Sequence, residues 1–181
     1  IALSLVGSEM CIRDSLKRVH SIDPTIKIEH INVRSKPDLK SFIQPADIVL
    51  LAVPGFLGYE TLKTILECKK DVVDISFSPE NLSKLSDVAR KNKVTAIYDA
   101  GVAPGLPNYL IGYYNNEINI KSFIYYVGGL PLSPEPPFNY KAPFSPIDVI
   151  EEYTRPARMM VNEKVIVKPA CLLYTSPSPR D

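Results

Sequence analysis

The sequence is poor in the residues that most metal and nucleophile chemistry requires. Its 181 residues include no tryptophan, two histidines and three cysteines. Neither histidine has a plausible partner for holding a metal ion or activating a nucleophile, and no G-x-S-x-G motif is present. No apolar run approaches the roughly 20 residues of a membrane span. A net charge of +1 gives no field that attracts nucleic acid. We therefore expect no metal site, no membrane segment and no nucleic-acid partner.

Both ends of the chain can be translated from a single DNA segment. Residues 171–181, CLLYTSPSPRD, can be encoded by a stretch whose complementary strand, read in one frame, encodes LVGSEMCIRD, residues 5–14. This pattern resembles a sequencing adapter translated at the two edges of a short insert. We expect residues 1–15 and 171–181 to be non-native tails around a natural segment that is cut at both ends. The alternative is a genuine N-terminal strand followed by a Glu-Met-Cys turn.

Cys68 is the cysteine that remains outside these tails. A single thiol forms neither an internal disulfide nor a cysteine metal cluster, which favours a reducing compartment, and we expect a cytoplasmic protein. Because Cys68 falls on a predicted helix, we interpret it as a small core residue and not as a nucleophile.

Short apolar runs alternate with helical patterns over residues 16–116. Predicted strands cover residues 26–33, 47–53, 71–77 and 94–98, and predicted helices cover residues 16–22, 36–43, 59–68, 82–92 and 107–114. The second strand is apolar at successive positions, as in a parallel strand that helices cover on both faces. This order is typical of a doubly wound parallel sheet, and we predict an α/β fold with a partial Rossmann-type sheet.

A dinucleotide-binding sheet carries a G-x-G-x-x-G loop after its first strand and an acidic residue after its second. Neither feature lies between residues 16 and 170. If the strand at residues 26–33 is the third of the fold, both features precede it and the first strands of the sheet are missing. The usual strand order then separates this strand from the one at residues 47–53. Nothing in the sequence chooses between NAD and NADP.

The pattern changes after residue 116, and prolines cluster further along the chain, between Pro131 and Pro146. We predict a strand over residues 118–127, a connection up to Pro146, a helix over residues 147–153, and a strand at residues 165–167 that pairs with an earlier strand through a turn at Asn162-Glu163. These elements predict the start of an α+β substrate domain over residues 117–170. Its boundary with the Rossmann-type domain, residues 16–116, falls near residues 115–117.

In open α/β sheets, ligands bind beyond the carboxyl ends of the strands. The carboxyl-terminal parts of three predicted strands and the turns after them supply the candidate residues Val53, Pro54, Gly55, Asp74, Ile75, Ser76, Asp99, Gly101, Pro104 and Gly105, of which Asp74 lies inside an apolar strand. Gly55 permits a close approach and Pro54 fixes the backbone, although a plain strand-ending turn is the alternative. Asp74 either caps a neighbouring loop or contacts a cofactor ribose. Asp99 has the better claim to a functional role because Gly101 follows it closely, and a simple loop cap is its alternative.

A second group of candidate residues lies in the proline-rich stretch and the helix after it. Tyr140 or Lys141 can donate or accept a proton, and Arg155 with Arg158 can hold a substrate carboxylate through paired N–H donors. The alternative for this helix is a salt-bridged surface, which we favour for Glu151 and Arg158.

Three segments resemble the saccharopine dehydrogenase superfamily, and most nearly its lysine 6-dehydrogenase-like branch. They are VDISFSPEN (residues 73–81), YDAGVAPGLPN (98–108) and YVGGLP…NYKAPFSPIDVIEEYTRPA (126–157). The resemblance implies a homodimeric oxidoreductase in which a Rossmann domain binds NAD or NADP and an α+β domain contacts an amino-acid substrate. It implies hydride transfer between a nicotinamide and the carbon of a C–N bond. In the lysine branch, the ε-carbon of lysine is oxidised to an imine, and water then releases ammonia.

The resemblance also implies roles for the candidate residues. It places Val53, Pro54, Gly55, Asp74, Ile75, Ser76 and Gly101 at the cofactor, Asp99, Tyr140 and Lys141 at the reacting groups, and Pro104, Gly105, Tyr153 and Arg155 at the substrate. Two alternatives stay open. One is a reductase that joins an amine to an aldehyde, as in saccharopine or carboxynorspermidine formation. The other is a truncated, poorly soluble chain that exposes apolar sheet edges and has no cofactor binding or activity of its own.

Overall fold

The computed structural model describes residues 2–3, 17–103, 105–128, 131–137, 139 and 146–169. The chain divides into two compact units, Ile1–Tyr125 and Tyr126–Asp181. This division falls about ten residues after the predicted domain boundary at residues 115–117. The boundary between the domains of the natural protein therefore stays a prediction.

The first unit alternates strands and helices, as the sequence predicts. Its elements in chain order are β1 (Ala2–Leu3), α1 (residues 17–22), β2 (Lys27–Ile28), α2 (Lys36–Ile43), β3 (Ile48–Leu51), α3 (Gly55–Glu67), β4 (Asp71–Asp74), a 3-10 helix (Leu82–Leu85) that leads into α4 (Ser86–Asn92), β5 (Ala96–Ile97) and α5 (Leu106–Tyr114). Helix α2 has the predicted bounds. Pro37 lies in its first turn, where the backbone N–H groups have no partner within the helix and a proline is tolerated.

A parallel three-stranded sheet in the order β3-β4-β5 forms the centre of this unit. The mixed α/β class is therefore confirmed. Strand β2 pairs in parallel with β1, and within the described residues it does not pair with β3. The predicted separation of these two strands by two further strands of one sheet stays a prediction. Because Ala2 and Leu3 lie in the segment assigned to a tail, the origin of that tail stays a prediction.

The core of the first unit lies on one face of this sheet. Helix α3 packs against β4, α2 and α4, and its residues Leu62, Ile65 and Leu66 are buried against Leu51 and Val72. The leucines of the 3-10 helix close this cluster, together with Leu39 and Ile43. Burial of such side chains contributes about 1.5–3 kcal/mol each, so this face supplies most of the unit's stability.

The opposite face of the sheet differs from the prediction. Ile48 and Leu50 point to this face and are 62% and 66% exposed. The prediction that helices cover both faces of the strand at residues 47–53 is therefore wrong for the structure as described. The apolar run alone identifies a strand suited to double coverage, but the covering layer must come from elsewhere in the fold.

The predicted strand over residues 118–127 is also absent. Residues 118–128 form neither helix nor paired strand. Several of their apolar side chains are exposed, including Ile124 (75%) and Tyr126 (85%). A strand is stabilised by hydrogen bonds to a neighbouring strand, and no described strand lies beside this segment. The predicted strand at residues 26–33 is likewise reduced to Lys27–Ile28.

The second unit contains helix α6 (Pro146–Thr154) and an antiparallel hairpin of β6 (Ala157–Val161) and β7 (Lys164–Lys168). Asn162 and Glu163 connect the strands with φ angles of +50° and +63°. Positive φ at both central residues is typical of the two-residue hairpin turn whose twist matches the strands. The predicted turn and pairing are confirmed. Across both units, every described helix is too short or too polar to cross a membrane.

Candidate functional site

Three turns lie together at the carboxyl edge of the central sheet. Strands β3, β4 and β5 are parallel neighbours, so the segments that leave their carboxyl ends begin at the same edge. We name them turn A (residues 52–55), turn B (residues 75–81) and turn C (residues 98–105). This is the position at which open α/β sheets bind ligands.

Turn A leads directly into helix α3. Pro54 is the N-cap of the helix, with φ −52° and ψ 143°, and Gly55 is the first helical residue and is buried. The carbonyl of Pro54 accepts a hydrogen bond of 2.9 Å from the N–H of Leu57. The helix thus begins four residues before the predicted residue 59. The first turn of the helix is stabilised by packing of its buried face and not by local helix propensity, so the helix extends to the sheet edge.

Asp74 ends β4 and is fully buried. Its Oδ1 accepts a hydrogen bond of 2.8 Å from the N–H of Ser76. Its Oδ2 has no hydrogen-bond partner among the described residues. Burial raises the pKa of the Asp74 carboxyl, the hydrogen bonds with Ser76 offset part of that rise, and the Asp99 carboxylate adds to it. The carboxylate of Asp99 in turn C thus acts on the pKa of Asp74 in the same direction as burial does.

Gly58 brings helix α3 unusually close to turn B. A Cβ on Gly58 would overlap Ser78 Oγ and lie 3.1 Å from Ser76 Cβ. Ser78 Oγ is itself buried, without a hydrogen-bond partner in the described part of the chain. The sequence analysis missed Gly58 and Ser78. A glycine inside a helical pattern was the available signal, because such a residue often marks a close approach.

Turn C depends on two unusual backbone conformations. Asp99 has a φ of +52°, and Gly105 has a φ of +140°, which only glycine adopts readily. A Cβ on Gly105 would overlap the carbonyl oxygens of Asp99 and Gly101. Gly101 and Gly105 form a parallel bridge, and the N–H of Leu106 donates to the Gly101 carbonyl at 2.8 Å. Turn C is therefore folded back on itself and holds Asp99 at the sheet edge.

Tyr109, on the first turns of helix α5, fastens the helix to turn C. Its hydroxyl donates a hydrogen bond of 3.0 Å to the carbonyl of Tyr98. Burial raises the pKa of Tyr109, and the charges of Asp99 and Tyr98 raise it further. The sequence analysis missed Tyr109, since its contact joins residues eleven positions apart and has no local signal.

The remaining candidate residues lie in the second unit or outside the described residues. Pro104, Tyr140 and Lys141 lie outside the described residues. In the second unit, Tyr153 is 74% exposed, and Arg155 forms an ion pair with Glu151 one helical turn earlier. The predicted ion pairing of Glu151 is therefore seen, and its partner is Arg155. The substrate contacts of Tyr153 and Arg155 stay predictions.

The residues at the carboxyl edge fit one half of a dinucleotide. Turns A and B come within hydrogen-bonding distance of each other, at 3.3 Å between Val53 N and Ser76 Oγ. Gly105 packs directly against the backbone of Asp99 and Gly101, where a side chain would not fit. Such an edge suits a ribose and a nicotinamide ring. The glycine-rich loop that would hold the pyrophosphate is absent from residues 16–170. Among the described residues, no group of three metal-ligating side chains occurs.

The fold and this edge define an α/β domain with a parallel sheet and a candidate ligand site at the carboxyl edge of that sheet. The apo histidine-tagged saccharopine dehydrogenase (L-Glu forming) from Saccharomyces cerevisiae has the same fold, with a TM-score of 0.64 and 20% sequence identity over 93% of this chain and 38% of that chain. The family model of the saccharopine dehydrogenase C-terminal domain matches residues 101–180. That range begins inside turn C and includes most of the segment assigned to the second tail, whose origin stays a prediction.

Two curated relatives carry the same likeness over more of the sequence. The alpha-aminoadipic semialdehyde synthase of Arabidopsis thaliana is 25% identical over 179 residues, which is 95% of this chain and 17% of that protein. The saccharopine dehydrogenase [NADP(+), L-glutamate-forming] of Schizosaccharomyces pombe is 24% identical over 151 residues, which is 79% of this chain and 33% of that protein. The chain thus spans well under half of each of these proteins. The predicted resemblance to the saccharopine dehydrogenase superfamily is confirmed.

Proposed function

We propose that the natural protein is an NAD- or NADP-dependent oxidoreductase that transfers a hydride between the nicotinamide and the carbon of a C–N bond in an amino acid. The observation that carries this proposal is the meeting of turns A, B and C at the carboxyl edge of a parallel sheet. The likeness to saccharopine dehydrogenases supports the same reaction class. When bound, the nicotinamide supplies a carbon that accepts or returns the hydride.

In this proposal, turn A contacts the cofactor, and turn C contacts both the cofactor and the substrate. Turn A would lie along the cofactor ribose, where Pro54 keeps the backbone fixed. Turn C would face the nicotinamide and the substrate, with the carboxylate of Asp99 at the reacting nitrogen. A carboxylate there stabilises a substrate ammonium or iminium group by charge. The roles of Tyr140 and Lys141 as proton carriers are part of this proposal, and they rest on the resemblance of their segment.

The finer assignment is to the lysine 6-dehydrogenase-like branch. In that reaction the ε-carbon of lysine loses a hydride and its nitrogen loses a proton, which gives an imine and reduced nicotinamide. Water then adds to the imine and releases ammonia and an aldehyde. The segments YDAGVAPGLPN and NYKAPFSPIDVIEEYTRPA support this branch. A saccharopine dehydrogenase is the second candidate, because the relatives from Schizosaccharomyces pombe and Saccharomyces cerevisiae have that name.

Product analysis of the natural full-length protein tests the proposal. Lysine with NAD or NADP should yield ammonia and reduced nicotinamide in equal amounts, measured by an ammonia assay and by absorbance. If the protein converts saccharopine to glutamate and releases no ammonia from lysine, it is a saccharopine dehydrogenase, the second candidate. Formation of a C–N bond from an amine and an aldehyde would identify the reductase reaction instead. No turnover in any of these three assays would refute the reaction class.

The 181-residue chain itself should neither bind the cofactor measurably nor catalyse the reaction. The glycine-rich loop supplies much of a dinucleotide's binding free energy, and residues 16–170 contain no such loop. Titration of the purified chain with NADH or NADPH, followed by fluorescence, should show no saturable binding. Thermal stabilisation of the chain by either cofactor would overturn this expectation. We also propose, from the resemblance, that the natural protein is a homodimer, which sedimentation of the full-length protein would check. The proposal of a cytoplasmic location rests on the single cysteine outside the predicted tails, Cys68.

A further inference from the structure

Asp74 is the residue through which the three turns of the carboxyl edge are connected. It ends the central strand, β4, with turn A on one neighbouring strand and turn C on the other. Its side chain is completely buried, which is unusual for an aspartate because a buried carboxyl must be hydrogen-bonded to be tolerated. A role in making the surface polar does not explain why this side chain is buried.

The side chain of Asp74 connects turn B to turn A. Oδ1 accepts from the N–H of Ser76, two residues on, which bends the chain as it leaves the strand. The bend places the buried hydroxyl of Ser76 where it accepts a hydrogen bond of 3.3 Å from the N–H of Val53. The position of turn A thus depends on Asp74 through one intermediate residue.

The main chain of Asp74 connects turn B to turn C. Its carbonyl accepts a hydrogen bond of 3.0 Å from the N–H of Ala100. Ala100 directly follows Asp99, whose positive φ fixes the direction of turn C. On the other side, the N–H of Ile75 donates to the carbonyl of Leu51 at 2.9 Å, which holds β3 in register. A displacement at Asp74 is therefore transmitted to both neighbouring turns.

The carboxyl of Asp74 is enclosed and does not reach the surface of the edge. Since Oδ2 is buried and unpartnered among the described residues, the ionised form has a high cost there. The negative charge of Asp99, in turn C, adds to that cost. A buried carboxyl of this kind is suited to accepting hydrogen bonds from the backbone. Oδ1 alone does so here, from the N–H of Ser76.

We propose that Asp74 is a positioning residue of the hydride-transfer site, which holds turn A and turn C in register without touching cofactor or substrate. The reference to hydride transfer rests on the proposed function. The connection between the turns rests on the hydrogen bonds alone. The proposal replaces the predicted contact between Asp74 and a cofactor ribose with an indirect role.

Amide hydrogen exchange of the 181-residue chain tests the connection without any cofactor. In Asp74→Ala, the N–H of Ser76 loses its acceptor. The acceptors of Val53 and Ala100, which are Ser76 Oγ and the main-chain carbonyl of residue 74, are retained but lose the side chain that positions them. All three N–H groups should therefore exchange about tenfold faster than in the wild-type chain. In Asp74→Asn, the amide oxygen replaces Oδ1, and the protection of all three groups should return. Unchanged exchange at Val53 or Ala100 in Asp74→Ala would overturn the connection to that turn.

Two further variants separate the connection from a general loss of folding. Ser76→Ala removes the acceptor of Val53 alone, so exchange should quicken at Val53 and not at Ala100. Asp71→Ala is the matched control, because Asp71 lies at the other end of β4 and its Oδ1 accepts from the N–H of Thr95 at 2.7 Å. Exchange should quicken there at Thr95 only. Equal acceleration across helix α3 in all variants would show global opening and would overturn the specific role of Asp74.

Kinetics of the natural full-length protein separate positioning from contact. Under the proposal, Asp74→Ala raises KM for the dinucleotide and lowers kcat at least tenfold, whereas Asp74→Asn restores both to within about threefold. If Asp74 instead contacts the ribose as a carboxylate, Asp74→Asn fails to restore KM although its amide exchange is normal. That result would overturn the proposal. If the exchange pattern holds but no dehydrogenase activity exists, the proposed function fails and the connection between the turns stands.

Discussion

Single residues at the carboxyl edge are set in conformations that restrict what can replace them. Asp74 is enclosed within the sheet, Asp99 adopts a positive φ, and Gly105 adopts a φ that side chains exclude. Such residues cost folding free energy, and they persist where the surrounding structure holds them. Their concentration at one edge of the sheet is consistent with a site whose geometry matters more than its stability.

The buried carboxyl of Asp74 should make the stability of the chain depend on pH. Because its pKa is raised above the ordinary value of 3.8, folding favours the protonated form. Its contribution to stability is therefore fully present below that value and is lost as the pH rises through the raised pKa. Asp74→Asn removes this loss. We expect the variant to gain in free energy of unfolding relative to wild type as the pH rises from 3.5 to 8, in urea titrations. A constant difference would contradict the burial argument. Asp71→Asn, which removes a carboxyl from the exposed end of the same strand, is the control.

Two glycines of the same region should respond oppositely to alanine. Gly105→Ala should destabilise the protein by about 1–3 kcal/mol from backbone strain alone, and overlap with Asp99 and Gly101 adds to that cost. Gly112 lies within helix α5, and a Cβ there would meet no described atom within 4 Å. Gly112→Ala should therefore stabilise by about 0.5–1 kcal/mol. Urea unfolding of both variants checks the pair. A mild effect of Gly105→Ala would mean that turn C can rearrange.

At the scale of elements, the two faces of strand β3 have different partners. Leu51 is 4% exposed and packs on helix α3, whereas Leu50 is 66% exposed. Leu51→Ala should cost about 2–5 kcal/mol because it leaves a cavity. Leu50→Ala should change the free energy of unfolding by less than about 1 kcal/mol. Denaturation of the two variants under identical conditions provides the comparison. Similar large losses would indicate that a further layer covers Leu50.

The elements show how far the sequence alone predicts this structure. The strands at β3, β4 and β5 were predicted because short apolar runs between helical patterns have few other interpretations. Their lengths were not, since the ends of a strand are set by where its neighbour stops. The segment at residues 118–127 has strand-forming residues but no described neighbour, and its prediction failed for that reason.

The same limit applies to the candidate site. Turns A, B and C were predicted because they follow strands, and sheet topology places strand ends together. Gly58 and Tyr109 were missed because their importance arises from contacts with Ser78 and Tyr98, which lie far along the chain. The connection through Asp74 required the hydrogen bonds of three separate segments. Sequence patterns identify where a site lies, but not how its parts are held.

At the scale of the whole molecule, the connection between the two compact units should be a readily accessible stretch of the described main chain. The units meet at Tyr125 and Tyr126, next to an extended segment without paired strands. Tyr126 is 85% exposed. Brief digestion with chymotrypsin should therefore cut there first and release a fragment that ends near residue 126, as identified by mass spectrometry. Cleavage within helix α3 at equal rates would show that the first unit is not stably folded.

The close approach of helix α3 to turn B has a consequence for how this protein can diverge. A Cβ at position 58 would overlap the hydroxyl of Ser78 where that hydroxyl now lies, so a larger residue at 58 requires the side chain at 78 to move or to become smaller. Related chains that carry alanine at 58 should carry glycine or alanine at 78, and single exchanges should be rare. The residues at positions 58 and 78 should therefore vary together among related sequences. Such covariation would indicate the same helix-to-turn contact in relatives whose structures are unknown.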